Sequence, residues 1–327
     1  GKPLHLFGAG HPFMLALGVA LGCDLFDSAA YILYARKNRY LTQAGTLKLG
    51  EMRYFPCRCD SCARTTPEEV MSLALVERIR FLAEHNLSVS MQEVETIKEA
   101  IVEGRLWELV EVRCRSHPSL LEGLRRIKEH SSYVAGLAPS TKRKGVFFFN
   151  STSLQRPEHT IQLERLLKDY VPPKMAKILL LMPVTHRRFK LAENTAKADQ
   201  VEMHRSIHLC LYSPPYGLVP SELKDTFPFS QTEAAEEPDL ETIRTMSETI
   251  RAYLAKNRTY DRLVLVHSGR KWEISFAEMC KRVSRQAGVE LLSRSDPEVS
   301  REWIEILGTR RKKLRKATKT RSPKGKP

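Results

Sequence analysis

Three cysteines fall within six residues, Cys57-Arg58-Cys59-Asp60-Ser61-Cys62, and a histidine, His85, follows after a helical interval. Thiols this close cannot all point into one core, but their spacing lets the sulfurs converge on one ion, and a distal imidazole would complete a tetrahedral Cys3His zinc site. Any fold of this chain that uses such a site must carry residue 85 back to the 57–62 knuckle. The other four cysteines, Cys23, Cys114, Cys210 and Cys280, are scattered singly, and an odd total of seven fits a reducing compartment better than a secreted one. The bland alternative is three buried small hydrophobes. Pro56 ahead of the group and charges inside it argue instead for a ligand knuckle. A closed site of this kind stabilises a fold and performs no chemistry itself, so the reactive groups have to be sought elsewhere.

At 327 residues with 42% hydrophobic content, the chain is long enough for two domains with separate cores. No run approaches the roughly 18 apolar residues of a membrane span, so a soluble, cytoplasmic protein is expected. The formal charge is +15, but the last eighteen residues, Arg310 to Pro327, hold ten Lys and Arg, which leaves about +5 for the body. Residues 306–327 are expected to be a disordered basic tail, suited to counterion-releasing contacts with phosphates or merely solvated. The chain begins Gly1-Lys2-Pro3 directly ahead of a strand, which reads as a truncated or processed front.

Leu4-His5-Leu6-Phe7 reads as a short buried strand, Gly8-Ala9-Gly10 as a tight turn, and Pro12 to Leu21 as an apolar helix with proline in its first turn. A second strand, Cys23 to Phe26, follows, with Asp27 at its carboxyl end. This is a β-α-β unit, the repeating piece of parallel α/β folds, in which reactive groups sit at the carboxyl ends of strands. Residues 67–130 read as largely helical: one helix opens at Thr66-Pro67-Glu68-Glu69, a second spans Met91 to Glu103, and a third Pro118 to Glu129. From Gly145 short apolar strands alternate with amphipathic helices: strand 146–149, helix 160–168, strands 178–182 and 207–212, helix 240–256, strand 263–267, helix 276–286 and strand 289–292. That alternation predicts a second α/β domain. The polar, Pro-containing segment 138–144 is read as the connector between a first domain, 1–137, and a second, 138–305.

Asp27 is the best candidate for a reacting group, because a carboxylate at the end of a buried strand stands where a barrel presents its nucleophile or base. Asp24 lies close by, and either could instead be a capping or ion-paired carboxylate. The Gly8-Ala9-Gly10 turn opens a helix amino terminus able to hold a phosphate, although sharp turns before helices use glycine in any case.

Several blocks together, Leu4-His5-Leu6-Phe7-Gly8-Ala9-Gly10-His11-Pro12, Cys23-Asp24-Leu25-Phe26-Asp27-Ser28-Ala29, Arg39-Tyr40-Leu41-Thr42, Phe55-Pro56 with the three cysteines, and His85-Asn86-Leu87, resemble the carboxyl-terminal part of the catalytic barrel of the tRNA-guanine transglycosylases. The "Ala-Gly-His-Pro" turn and "Phe-Asp-Ser" resemble the archaeal branch, which inserts the archaeosine precursor base. The resemblance covers residues 1 to about 130. It implies that Asp27 is the nucleophile and that Cys57, Cys59, Cys62 and His85 hold a structural Zn2+. It also implies tRNA and 7-cyano-7-deazaguanine as substrates, with a D-arm guanine exchanged through a covalent aspartyl-ribosyl intermediate. The target base would be extruded from folded tRNA. Arg36, Lys37 and Arg39 would bind flanking phosphates, with Tyr31, Tyr34 or Tyr40 available for stacking or for ordinary packing.

In that family the general acid/base and the purine-gripping residues lie on earlier barrel strands, which this chain lacks. The expected fold class is therefore α/β, the carboxyl-terminal portion of a (β/α)8 TIM-like barrel with a zinc-binding helical subdomain, followed by a second α/β domain. Such a chain is a fragment or one half of a split enzyme, completed by a chain carrying the amino-terminal barrel half or by a homologous subunit. The second domain, through Ser213-Pro214-Pro215-Tyr216-Gly217-Leu218-Val219-Pro220 and Phe227-Pro228-Phe229, resembles that of archaeosine synthase. The synthase's cysteine is replaced by Val184 in Met182-Pro183-Val184-Thr185-His186-Arg187-Arg188-Phe189-Lys190, where the basic residues remain able to touch RNA. The rival readings are a non-catalytic tRNA-binding subunit and an archaeosine-synthase-like paralogue.

Overall fold

The computed structural model describes residues 2–139, 141–184 and 206–295. The expected basic tail and the loop carrying His186, Arg187, Arg188 and Lys190 lie outside the described residues. The chain divides into two compact units, the first comprising Gly1–Ile161 with Gln231–Glu233, the second running from Gln162 to Ser230 and onward from Ala234. The segment read as a connector falls within the first unit. Its Lys142 is buried, with Nζ 3.6 Å from carboxylate oxygens of both Glu108 and Glu158.

The first unit opens with β1 (His5–Phe7), α1 (Pro12–Ala20) and β2 (Leu25–Asp27). The two strands pair in parallel, with Phe7 opposite Asp27. The second strand thus starts two residues later than expected and takes Asp27 into the ladder. Gly18 is what lets α1 lie on β2, since a Cβ there would stand 3.0 Å from the Phe26 ring. The inner face of α1, Leu15, Ala16 and Ala20, packs into a cluster with Ile97, Trp107, Val110, Cys114 and Leu124.

After α2 (Ala30–Ala35) come an antiparallel hairpin, β3 (Arg39–Thr42) with β4 (Gly45–Lys48), then the cysteine segment, then α3 (Pro67–Ser72). The Thr66 hydroxyl accepts the Glu69 N–H, and the Glu69 carboxylate accepts the Thr66 N–H; this reciprocal cap fixes the start of α3. Helix α4 (Leu75–Val102) is 28 residues long and contains the shorter helix expected over 91–103 as its last part. Its buried stripe is Leu82, His85, Asn86, Val89, Glu93 and Ile97. Three further helices, α5 (Leu106–Cys114), α6 (Pro118–Arg126) and α7 (Ser131–Leu137), complete the helical layer.

In the second unit β6 (Ile178–Pro183), β7 (Ile207–Ser213), β8 (Tyr216–Pro220), β10 (Arg262–His267) and β11 (Glu290–Ser295) form one sheet in the order β11-β10-β6-β7-β8. The remaining short strands, β5 (Val146–Phe148) and β9 (Thr232–Ala234), pair separately. All neighbours in the large sheet are parallel except β7 and β8. Its core packs Leu179, Leu181 and Leu265 against Met246 and Ile250 of the helix Leu240–Lys256 and Phe276 and Cys280 of the helix Lys271–Gln286. No helix among the described residues is long and apolar enough to cross a membrane.

Candidate active site and metal centre

The four predicted ligands converge. One ligand atom from each of Cys57, Cys59, Cys62 and His85 lies within 4.8 Å of the other three. His85 Nδ1 is 3.5 Å from Cys59 Sγ and 3.4 Å from Cys62 Sγ. The other ring nitrogen, Nε2, lies 2.9 Å from the Leu41 carbonyl. A carbonyl can only accept, so Nε2 carries the proton and Nδ1 turns its lone pair toward the sulfurs, the tautomer a metal-binding imidazole needs. Burial holds His85 at a pKa of about 4, against the Leu41 carbonyl that acts the other way, and so keeps the ring neutral. The same burial pushes the Cys62 thiol up to about 12 and raises Cys57. The backbone N–H of Cys59 points at Cys57 Sγ, 3.3 Å away. Three sulfurs and a correctly polarised nitrogen converging in this way have the donor set of a bound soft-to-borderline cation.

Neighbouring side chains lock this arrangement. The Tyr40 ring is fully buried, stacked 3.6 Å from His85 and 5.3 Å from Phe55, and its hydroxyl lies 3.4 Å from Cys62 Sγ. Tyr40 is therefore part of the core beneath the knuckle and cannot stack on a base. Burial drives its phenol far above its ordinary range. Asn86, to which the sequence pattern assigns no role, is also fully buried. Its Oδ1 accepts the Leu41 N–H at 2.8 Å, and its Nδ2 donates to the carbonyls of Tyr31 (3.0 Å) and Arg39 (3.1 Å). One helical turn-face of α4 thus ties down both α2 and β3.

Asp27 stands at the carboxyl end of β2, with its side chain about half exposed. Oδ1 accepts the Gly8 N–H at 3.0 Å, while Oδ2 has only His5 Nε2 at 3.9 Å. At the other end of the same ladder Asp24 Oδ2 accepts the Leu4 N–H at 2.8 Å. The two carboxylates bracket β1, one at each end. The turn above Asp27 is closely fitted: a Cβ on Gly10 would meet Ser28 Oγ at 2.0 Å. Arg36 and Lys37, at the end of α2, are exposed, and Arg39, which opens β3, is half-buried. In the same turn His11 is 8% exposed and neither ring nitrogen has a hydrogen-bond partner among the described residues. Its pKa falls to about 4, through burial first and the neighbouring His117 second.

The second unit has its own buried polar cluster, which sequence reasoning missed because its members are far apart in the chain. His208 Nδ1 is 2.6 Å from the Tyr260 hydroxyl and Nε2 is 2.9 Å from that of Tyr170, which donates in turn to Glu222. Burial lowers the His208 pKa, opposed by the Glu222 carboxylate. The cluster sits at the amino end of β7, whereas open α/β sheets bind ligands beyond the carboxyl ends of their strands, so it reads as internal bracing.

Residues 1–119 match the family described as queuine tRNA-ribosyltransferase, and residues 161–310 match a family described as a domain of unknown function. A relative in Methanococcus maripaludis strain C6, named tRNA-guanine(15) transglycosylase, is 41% identical over 265 residues, covering 78% of this chain and 38% of that protein. Proteins with the same name in Methanosphaera stadtmanae and Methanocaldococcus jannaschii are 38% identical over 286 residues and 42% over 246. They are covered over 40% and 36% of their length, against 81% and 73% of this chain. The chain therefore spans well under half the length of the curated relatives it matches. The aligned 265 residues exceed the 119 of the first family segment more than twofold, so the likeness continues into the second unit.

Proposed function

We propose that this chain, which belongs to the queuine tRNA-ribosyltransferase family over residues 1–119, is the part of an archaeal-type tRNA-guanine transglycosylase that supplies the nucleophile and the metal-held segment behind it. The observation carrying this reading is Asp27: it is anchored through Oδ1 by the Gly8 N–H, while Oδ2 has no hydrogen bond and stands half exposed at the carboxyl end of a parallel strand. Anchoring one oxygen orients the other, which is what a nucleophilic carboxylate requires.

Oδ2 attacks C1′ of the target ribose, the guanine leaves with the glycosidic electron pair and takes up a proton, and an aspartyl-ribosyl ester holds the site. 7-Cyano-7-deazaguanine then attacks C1′ through its ring nitrogen, expels the carboxylate and loses a proton. Two displacements retain the anomeric configuration. Cys57, Cys59, Cys62 and His85 would hold a zinc ion that closes the fold, with no role in these steps. Arg36, Lys37 and Arg39 follow Asp27 on the next elements and would contact phosphates flanking the extruded nucleotide. Seven free thiols suit a reducing cytoplasm.

The rest of a barrel would come from chain beyond these residues or from a partner polypeptide. Among the described residues each of β1 and β2 has one unpaired edge in its two-stranded sheet, and Phe7 is 82% exposed, Leu25 51% and Leu4 50%. Lone strand pairs with bare apolar side chains are marginal in water, and further strands on either edge would satisfy both backbone and side chains.

The test is base exchange into a tRNA transcript by the enzyme assembled with its remaining barrel strands. Asp27→Asn should lower exchange at least about a thousandfold and abolish the denaturation-resistant protein–tRNA adduct formed by the parent. Undiminished exchange would overturn the assignment. A second reading, a non-catalytic tRNA-binding subunit, draws on the fact that Asp27 clamps β1 just as Asp24 does. Tight tRNA binding with no adduct at Asp27 would favour it.

A further inference from the structure

The ladder that presents Asp27 carries a second polar side chain on the same face, and the chemistry proposed above gives it no role. Alternation along β1 and β2 divides their side chains between two faces. Leu6 and Phe26 lie against α1, where a Cβ on Gly18 would stand 3.4 Å and 3.0 Å from them. His5, Phe7, Leu25 and Asp27 occupy the other face, with His5 opposite Leu25 and Phe7 opposite Asp27. His5 is thus the diagonal neighbour of the carboxylate, on the face that the proposed barrel turns inward.

The Nε2 of His5 lies 3.9 Å from Asp27 Oδ2, and its ring meets that of Phe7 edge-on, with centroids 6.0 Å apart. Asp27 Oδ1 is already held by the Gly8 N–H at 3.0 Å, so the imidazole addresses the oxygen left free. A carboxylate oxygen only accepts, so Nε2 is the nitrogen that presents its hydrogen to Oδ2. At 3.9 Å the contact is electrostatic, and a small rotation of the half-exposed imidazole closes it to a hydrogen bond. Asp24, at the other end of the ladder, accepts the Leu4 N–H in the same way but has no side-chain donor among the described residues. The histidine therefore separates the carboxylate assigned to the reaction from the one that clamps the strand.

We propose that His5 is a positioning residue that makes Asp27 a good leaving group, so that the covalent intermediate turns over instead of accumulating. The inference rests on the nucleophile reading above and concerns the second displacement. There a ring nitrogen of the incoming base bonds to C1′, the C1′–Oδ2 bond breaks with both electrons going to Oδ2, and the proton on the incoming nitrogen passes to water. Oδ2 changes from an ester oxygen to one half of a carboxylate. A donor binds a charged oxygen about twice as strongly as a neutral one, so the Nε2–H favours the broken bond over the ester. Because it meets charge that is already developing at Oδ2 in the transition state, it raises the rate of release as well as its extent. With one lone pair of Oδ2 facing His5, the other stays directed at C1′.

The test uses the enzyme assembled with its remaining barrel strands, a labelled tRNA transcript and a fixed excess of guanine. Adduct and free tRNA are separated on a denaturing gel, and incorporation of 7-cyano-7-deazaguanine is followed in the steady state. His5→Phe keeps an aromatic ring beside Phe7 and removes the N–H. It should raise the ratio of adduct to free tRNA about tenfold and lower kcat by about ten- to hundredfold, with KM for tRNA within about twofold. The amide nitrogen of glutamine reaches the place of Nε2, and that of asparagine the place of Nδ1. His5→Gln should accordingly restore both readouts and His5→Asn should not, a comparison that decides the matter even if the phenylalanine variant folds poorly. An adduct ratio that stays level or falls when the N–H is removed overturns the proposal, as does rescue by asparagine equal to that by glutamine. If the parent forms an adduct that Asp27→Asn abolishes while the His5 variants match the parent, the role of His5 is refuted and the nucleophile reading stands. If the parent forms none, both fall.

Discussion

Asn86→Ala tests whether the helix bearing the imidazole ligand also holds the segment after Asp27. The side chain is fully buried and makes three hydrogen bonds, to the Leu41 N–H and to the Tyr31 and Arg39 carbonyls. Truncation removes a partner from all three backbone groups. A buried donor left unpaired costs about 1–3 kcal/mol, and a carbonyl with a second lone pair less. Roughly 3 kcal/mol in total is expected, or about 6–12 °C in the melting transition of the first unit. Asn86→Asp separates geometry from size. One oxygen can still accept the Leu41 N–H, but the other would face two carbonyl oxygens at about 3 Å with a buried charge, so at pH 7 it should be less stable than alanine. Burial would raise the new carboxyl's folded pKa above its unfolded value. Its protonated form, able to donate, is favoured by folding, so stability is fully present below the unfolded pKa of about 4 and is lost as pH rises through the folded one. The gap between the Asp and Ala variants should therefore narrow on acidification from pH 7 to 5. Thermal melts followed by circular dichroism at each pH measure it. An alanine variant within about 1 kcal/mol of the parent, or an aspartate variant more stable than alanine at pH 7, would refute the argument.

Cys62→Ser should lose bound zinc by elemental analysis and lower the first unit's melting temperature, leaving the second unit's transition in place. Metal binding must displace protons from Cys57 and Cys62, whose thiols burial raises, but none from His85 at about 4. Competition with a chromophoric chelator should therefore show affinity rising at least about two log units per pH unit between pH 6 and 8. Gly10→Ala places a methyl 2.0 Å from Ser28 Oγ and should depress both the melting temperature and base exchange. Adding Ser28→Gly should recover much of each, and no recovery would mean that the close approach is not the cause. His11 is buried with both nitrogens unpartnered and its pKa lowered from 6.5 to about 4. Its neutral form is the folded one, so its contribution is present above pH 6.5 and declines by up to about 1.4 kcal/mol per unit as pH falls toward 4. His11→Leu should accordingly gain on the parent below pH 6.5, and parallel stability curves in denaturant titrations would sink this account.

The cysteine cluster was legible in the sequence because three of its four ligands are local, at a spacing that lets their sulfurs converge. The position of Asp27 was legible because a β-α-β unit has few ways to pack. Other elements were hidden, each for a physical reason. The hairpin β3–β4 turns through Gln43-Ala44, which carries none of the usual turn chemistry. Strand β8 is bracketed by prolines and reads as a loop, yet it lies at the sheet's edge, where a missing N–H costs nothing. Tyr40 directly follows Arg39 and so reads as a stacking platform, while its burial depends on Phe55 and His85, which are distant in sequence.

Helix α4 is the most instructive case. Only its last part was expected, because polar residues interrupt its apolar stripe at His85, Asn86 and Glu93. Each of these is buried for a specific reason. His85 faces three thiols, Asn86 ties α2 to β3, and Glu93 receives Arg113 through two bonds of 2.8 Å. Buried polar groups are tolerated only when such partners are supplied, so a break in hydrophobic periodicity inside an otherwise helical stretch is a signal of work done there. The same logic applies in reverse to β1 and β2. Their apolar side chains follow the strand pattern faithfully, yet Phe7, Leu25 and Leu4 stand bare. Further strands of the proposed barrel, packed on either edge, would cover them.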